Sequence, residues 1–205
     1  MLENVQMDSL TGFMSRENIT PFLERLAIEA SLKNKVFSIA LIDLDRFKKF
    51  NDRFGHIFGD EILKYASSTM RLTFNETLCY IFRFGGDEFI AVFPDIEPKT
   101  AYQLLKQCSR NFFYRPFLFK NKFYRISFSC GISGFPGDGT DIKDLINKAD
   151  KSMYCAKRLG RNQTVLSGQL KPVSPLRLTF LLIGIGLIVL LIFILYQKYT
   201  VFIKG

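Results

Sequence analysis

An α+β sandwich, with helices packed on a mixed sheet and one membrane-spanning helix near the C-terminus, is what this 205-residue sequence predicts. Three observations lead there. Apolar residues recur at helical spacing in four segments, with short apolar or β-branched runs between them. Two of those runs, Leu78 to Phe84 and Phe89 to Phe93, flank Gly85-Gly86, a hairpin signal that makes at least one strand pair antiparallel. Leu178 to Tyr196 then supplies 19 residues without a charge.

The elements follow in order. Ile19, Phe22, Leu23, Leu26, Ala27 and Ala30 share a helical face, so a helix is expected from about Ser15 to Leu32 with Ser15 as N-cap. Val36 to Asp43 reads as a buried strand ending in acid. Ile62, Leu63, Ala66 and Met70 align on a helix from about Gly59 to Phe74. After the Gly-Gly hairpin, Ala101, Leu104, Leu105, Cys108 and Phe112 mark a helix from about Lys99 to Phe113. Phe117 to Tyr124 reads as a small hairpin with Lys120-Asn121 at its tip, and Arg125 to Ser133 as another strand. Ile142, Leu145, Ile146, Ala149 and Met153 place a helix over Asp141 to Arg158. Interleaved helices and strands with an antiparallel pair give the sandwich.

Residues 1–167 form one domain, 168–176 a linker rich in Gly, Pro and Ser, 177–197 a membrane helix and 198–205 a short tail. At 1.5 Å per residue the apolar run spans about 28 Å, close to the hydrocarbon core of a bilayer. The competing reading, a buried core helix, needs later sequence to cover a helix that is apolar all round, and little follows. Gly184 and Gly186 are two apart, so no GxxxG dimerisation face is present.

Composition narrows the class without choosing a function. The formal net charge is +9. The first 170 residues carry 24 basic and 19 acidic groups, a mild excess that suits a polyanionic substrate, anionic lipid or nucleic acid alike. The Phe residues fall mostly at core-periodic positions, which counts against a nucleic-acid-binding module. Cys79, Cys108, Cys130 and Cys155 show neither CxxC nor zinc spacing and read as reduced thiols. Met1 to Met7 is too short and polar for a signal sequence.

The chemistry concentrates in two places. Arg83-Phe84-Gly85-Gly86-Asp87-Glu88-Phe89 puts two glycines at a hairpin tip, where positive φ and close ligand approach are possible, followed at once by two carboxylates. Taken alone, such a turn is quite often only an exposed turn. The second place is residues 41 to 63, LIDLDRFKKFNDRFGHIFGDEIL. Asp43 and Asp45 lie on one side of a strand end, because side chains alternate. Hard oxygen ligands there suit Mg²⁺, which takes one or two carboxylates and completes its shell with water and phosphate. Equally, one of the two acids fits a helix-cap role. Lys48 stands just beyond them, positioned for phosphate. Asn51 and Asp60 offer the amide and carboxylate that read a guanine edge. His56, the sole histidine, is at most pocket lining.

Together these residues resemble the GGDEF family of diguanylate cyclases. A D-x-L-T motif is met by Asp8 to Thr11. The pattern D-x-D-x-F-K-x-x-N-D-x-x-G-H-x-x-G-D is matched without a gap from Asp43 to Asp60, with Phe47 and His56 in it. The signature follows, and A-D-x-x-x-Y-x-A-K-x-x-G-R-N is met from Ala149 to Asn162. The resemblance covers about residues 7 to 167. It implies a palm-like fold with a mixed, largely antiparallel central sheet flanked by helices. It implies metal ligation (Mg²⁺ or Mn²⁺) by Asp43, the Leu44 carbonyl and Asp87. It further implies guanine contacts at Asn51 and Asp60, triphosphate contacts at Lys48, Lys157 and Arg161, and a catalytic role for Asp87 and Glu88 toward the attacking 3′-hydroxyl, with Phe47 and His56 lining the substrate site.

The activity so implied is condensation of two GTP into cyclic di-GMP across a homodimer. GTP is cytoplasmic, so the expected location is the inner membrane, with a single span and a cytoplasmic catalytic domain. Two departures from the family stand out. Its R-x-x-D product-inhibition pair is replaced here by Glu76 and Cys79. Only seven residues precede Asp8, where most relatives carry a sensor or dimerising module. The alternative is an inactive domain serving as nucleotide receptor or membrane scaffold. Such receptors usually keep the inhibition pair and lose the signature, the reverse of this sequence.

Overall fold

The computed structural model describes residues 5–169. A single 3-10 turn, Arg16–Asn18, leads into α1 (Ile19–Leu32). There follow β1 (Phe37–Leu44), α2 (Phe47–Phe54), α3 (His56–Thr73), β2 (Tyr80–Gly85) and β3 (Glu88–Pro94). The second half runs α4 (Pro98–Tyr114), β4 (Phe117–Phe119), β5 (Lys122–Tyr124), β6 (Phe128–Phe135), α5 (Ile142–Arg158) and β7 (Thr164–Leu166). The main sheet has the order β2-β3-β1-β6-β7. Its first three pairings are antiparallel and only β6–β7 is parallel. The sheet is thus mixed and largely antiparallel, as expected.

Alternation along β1 builds both layers. Phe37, Ile39 and Leu41 join one buried cluster with Leu23 of α1 and Leu145, Ala149 and Met153 of α5. Ala40, Ile42 and Leu44 join the other, with Ile62, Ala66 and Met70 of α3 and Leu105 and Phe112 of α4. A strand apolar on both faces is what a central strand with helices above and below requires. The seat of α5 depends on small residues. Along β6 the positions facing it are Ser129, Gly131 and Ser133, and a Cβ on Gly131 would lie 2.0 Å from the Ala149 carbonyl oxygen. Only glycine permits that approach.

The expected elements form, with informative differences. The Ser15 start is a 3-10 turn, and α1 begins at Ile19. The helix expected from Gly59 starts three residues earlier, at His56. Two elements had no counterpart in the sequence reading, α2 and the three-residue β7. In α2, four charged residues among eight mask the spacing of Phe47, Phe50 and Phe54. The β4–β5 hairpin turns at Lys120-Asn121, both at positive φ (45° and 61°), as a tight two-residue loop demands. All four cysteines are free, Cys108 and Cys130 buried, Cys79 and Cys155 half-buried. The expected span Leu178 to Tyr196 and most of its linker lie outside the described residues. Among the described residues no helix is long and apolar enough to cross a membrane.

Candidate active site

The site grows from the end of β1. Asp43 continues the odd-numbered row of that strand and so faces α5. There Lys157, the penultimate residue of α5, places its ammonium 2.7 Å from Asp43 Oδ2. In register, Asp43 lies opposite Glu88 on β3 and Ser129 on β6. The strand order therefore carries Glu88 from the signature hairpin to the side of Asp43, 45 residues earlier in the chain.

The hairpin turn is held from two sides. Gly86 alone has positive φ (48°), while Gly85 ends β2 after a register shift opposite β3. A Cβ on either glycine would meet nothing within 4 Å, so the space over the turn is open. The Leu44 N–H donates to the Asp87 carbonyl at 3.3 Å. The Arg83 guanidinium donates through Nε and Nη2 to the Gly86 carbonyl, at 3.2 and 2.9 Å, and pairs through Nη1 with Asp8 at 3.0 Å. Asp8 in turn accepts from the Thr11 N–H and hydroxyl. Burial would raise the Asp8 carboxyl, yet the Thr11 hydrogen bonds and the Arg83 charge override it and hold it below the usual range. The D-x-L-T segment is a brace for the signature turn.

Three carboxylates are then left in one corner. Asp87 is pushed up to about 6, first by burial and then by the neighbouring charge of Asp43. Burial and the same neighbour raise Glu88. Burial also raises Asp43, offset only in part by Lys157. The corner holds more negative charge than its residues neutralise, which is the condition for admitting a cation. Among the described residues no three His, Cys, Asp or Glu converge into a cage. Two carboxylates and a backbone carbonyl suit an ion that takes the rest of its shell from substrate and water.

Asp45 is different. It is 6% exposed. Its carboxylate accepts from the hydroxyls of Ser127 (2.7 Å) and Ser129 (2.6 Å) and from the Asn162 N–H (2.9 Å). It caps no helix. It knots the end of β1 to the start of β6 and to the loop after α5. That loop carries Arg161, whose charge reaches Asp43. Arg161 and Asn162 both sit at positive φ, 69° and 49°. Of the two acids read from the strand end, Asp43 faces the open corner and Asp45 holds the scaffold.

The base-reading candidates form a second group. Asn51 on α2 packs against Gly59 of α3, and its Oδ1 is buried with no hydrogen-bond partner among the described residues. Asp60, next along α3, is exposed. Phe47 is 9% exposed and belongs to the core. Its ring tip lies beside the Asn51 amide at Gly59. Lys48 and His56 are exposed. Hence Asp43, Asp87, Glu88, Lys157 and Arg161 gather at one corner, and Asn51, Asp60 and Phe47 at the α2–α3 junction. The hydrogen bonds and charge contacts described join neither Lys48 nor His56 to the corner. Sequence reasoning missed the Arg83–Asp8 brace and the serines that bind Asp45. Both motifs were visible, but partners 75 to 84 residues apart leave no local signal.

Comparison with known proteins places the family and the fold. The response regulator PleD of Caulobacter vibrioides is 34% identical over 167 residues, covering 80% of this chain and 36% of PleD. The diguanylate cyclase DgcP of Pseudomonas aeruginosa is 33% identical over 156 residues, 76% of this chain and 23% of DgcP. The chain thus spans only a minor part of either relative. The crystal structure of the GGDEF domain of DgcB from Caulobacter crescentus, in complex with c-di-GMP, matches at a TM-score of 0.73 with 26% identity, over 82% of this chain and 98% of that one. The active GGEEF domain of a diguanylate cyclase from Vibrio cholerae matches at 0.69 with 31% identity, over 76% of this chain and 98% of that one. With the family model for "Diguanylate cyclase, GGDEF domain" matching residues 5–163, this chain belongs to the GGDEF family of diguanylate cyclase domains.

Proposed function

We propose that this protein condenses two GTP into cyclic di-GMP with release of two pyrophosphates. The observation that carries the reading is the corner of Asp43, Asp87 and Glu88 beside an open, glycine-built turn. Half-buried carboxylates that repel one another, with Lys157 as their close counter-ion, are poised for a cationic ligand and for proton transfer.

Mg²⁺, or Mn²⁺, fits this donor set, with Asp43, Asp87 and the Leu44 carbonyl as its protein ligands. When bound, such an ion neutralises phosphate charge and lowers the pKa of the attacking 3′-hydroxyl. The chain's own groups supply the remainder. Asn51 Oδ1, without a hydrogen-bond partner among the described residues, and the Asp60 carboxylate accept from the N–H groups of guanine. Lys48, Lys157 and Arg161 hold the triphosphate and stabilise the charge that collects on departing pyrophosphate. One carboxylate of the Asp87–Glu88 pair takes up the proton of the 3′-hydroxyl as its oxygen bonds to the α-phosphorus of the opposing GTP. Each such step forms one P–O bond and breaks one to pyrophosphate. Two steps close the ring.

One domain offers one triphosphate corner, so the active unit is a homodimer whose corners face each other. The uncharged run Leu178 to Tyr196 supports a tether in the inner membrane with the catalytic domain in the cytoplasm, where GTP is. Confinement to a bilayer raises the partners' effective concentration. The test is direct: the full chain, in detergent, is incubated with GTP and Mg²⁺ and the products are separated by chromatography. Cyclic di-GMP and pyrophosphate are expected in a one-to-two ratio. Bound GTP that never turns over would instead identify a receptor.

A further inference from the structure

Charge is not spread evenly over this molecule. Between Glu97 and Asp138 lie 40 residues without a single acid and with seven cations, Lys99, Lys106, Arg110, Arg115, Lys120, Lys122 and Arg125. The remainder of residues 1–170 holds 17 basic and 19 acidic groups. The basic stretch comprises α4, the β4–β5 hairpin and β6. Since β6 is buried throughout, its charge is presented by α4 and the hairpin.

That surface also exposes large apolar side chains. The inner face of the hairpin, Phe117, Phe119 and Tyr124, packs around Phe58 of α3. The outer face is the cross-strand pair Leu118 and Phe123, 56% and 71% exposed. Arg125, two residues beyond Phe123, lies over the Phe113 ring at 5.1 Å, and Phe113 touches Tyr114 at 5.3 Å between centroids. Phe113 and Tyr114 are themselves 54% and 75% exposed. Two pairs of exposed apolar side chains, Leu118 with Phe123 and Phe113 with Tyr114, therefore stand in this basic stretch, with Arg125 following the first pair in sequence and lying over a ring of the second. A cleft of about 270 Å³ opens beside Tyr114, lined by Lys106, Ser109, Arg110 and Asn162, with room for a phosphate headgroup.

We infer that this face, α4 together with the β4–β5 hairpin, docks on an anionic phospholipid surface. Its chemistry matches one. Aromatic and leucine tips enter the interface while flanking lysines and arginines meet the headgroups. A nucleic acid fits less well. Stacking platforms need open ring faces, whereas Arg125 occupies one face of Phe113 and Tyr114 meets Phe113 edge-on at 85°. A protein partner fits less well too, because interface cores are depleted in lysine. The contact is independent of the tether proposed for Leu178 to Tyr196 and concerns how the catalytic domain lies on the bilayer.

The chain has no tryptophan, so Phe123→Trp gives a unique reporter at the tip of the face. The 205-residue variant is reconstituted with vesicles of phosphatidylglycerol and phosphatidylcholine, with or without brominated acyl chains, and with phosphatidylcholine alone. With phosphatidylglycerol, tryptophan emission is expected to shift to the blue and be quenched by the brominated chains, with both effects lost at high salt. Each cation near an anionic surface is worth about a fivefold change in partitioning, so Lys120→Glu, Lys122→Glu and Arg125→Glu together should weaken the contact by about a hundredfold or more. Reversing Lys33, exposed just after α1, and Lys143, exposed on α5, should leave it intact. Circular dichroism melting confirms that each variant is folded. The inference is overturned by a vesicle-bound chain whose reporter stays unquenched. It also fails if single-stranded RNA produces the blue shift in place of vesicles, or if the shift follows protein concentration without lipid.

Discussion

Asp45 and Asp87 stand near the same edge of the sheet and share a side chain, yet they live differently. Asp45 is almost fully buried and accepts three hydrogen bonds from two hydroxyls and a backbone N–H. Asp87 is half-buried, carries no comparable set of donors, and faces Asp43. One carboxylate is used up by the scaffold and the other is left in want of charge. Residue type does not separate structural acids from chemical ones; the count of satisfied lone pairs does.

The contrast can be broken in order of size. Asp87→Asn or Asp43→Asn should lower cyclic di-GMP formation by more than about a hundredfold with the fold intact, since each removes a charged ligand or proton acceptor. Product chromatography beside circular dichroism checks this, and near-normal synthesis by either variant refutes the assignment. Asp45→Ala should act through the fold. It strands two hydroxyls and an N–H and should cost about 2–3 kcal/mol, read as a lower urea midpoint. An unchanged midpoint would mean the knot is ornamental.

A third experiment separates the two acids by sign. The folded state raises Asp87 from 3.8 to about 6, so it binds a proton that the unfolded chain releases. Stability therefore falls as pH climbs between those values, and the deficit is complete above the upper one. Discounted for a half-exposed side chain, it amounts to about 1 kcal/mol. In metal-free buffer Asp87→Asn should melt about 2–4 °C above the parent at neutral pH and level with it in acid. A variant that melts lower at neutral pH contradicts the electrostatic account. The smallest effect concerns feedback. Glu76 is exposed and Cys79 is a half-buried thiol raised by burial, so cyclic di-GMP should not slow initial rates through that position. Potent inhibition abolished by changes at these two residues would reverse this.

The contrast also marks what the sequence makes legible. β1, the signature hairpin, α4 and α5 were plain because their apolar periods are local. The residues of the corner were named through motif spacing, but the contact between Asp43 and Lys157, 114 residues apart, was not. The fate of Asp45 was not. From the strand alone it shared a side with Asp43 and served equally well as a ligand or a cap. Only Ser127, Ser129 and Asn162 decide the matter, and they lie 82 to 117 residues away. For α2, a run of charge hid an ordinary helical spacing. The unfilled acceptor of Asn51 follows from that same unrecognised helix meeting α3.

Consider what those separations mean for a chain emerging from a ribosome. Asp8 waits 75 residues for Arg83, Asp43 waits 114 for Lys157, and Asp45 waits 117 for Asn162. β1, the middle of the sheet, gains its second neighbour only when β6 arrives. Contacts so far apart in sequence form after local ones, because the loops between them must close first. The carboxylate corner is thus among the last places to be assembled. A nascent chain carrying the whole GGDEF signature, but not yet residue 162, holds its acids in an unfinished frame, and a ligand that needs all of them at once must wait for the finished domain.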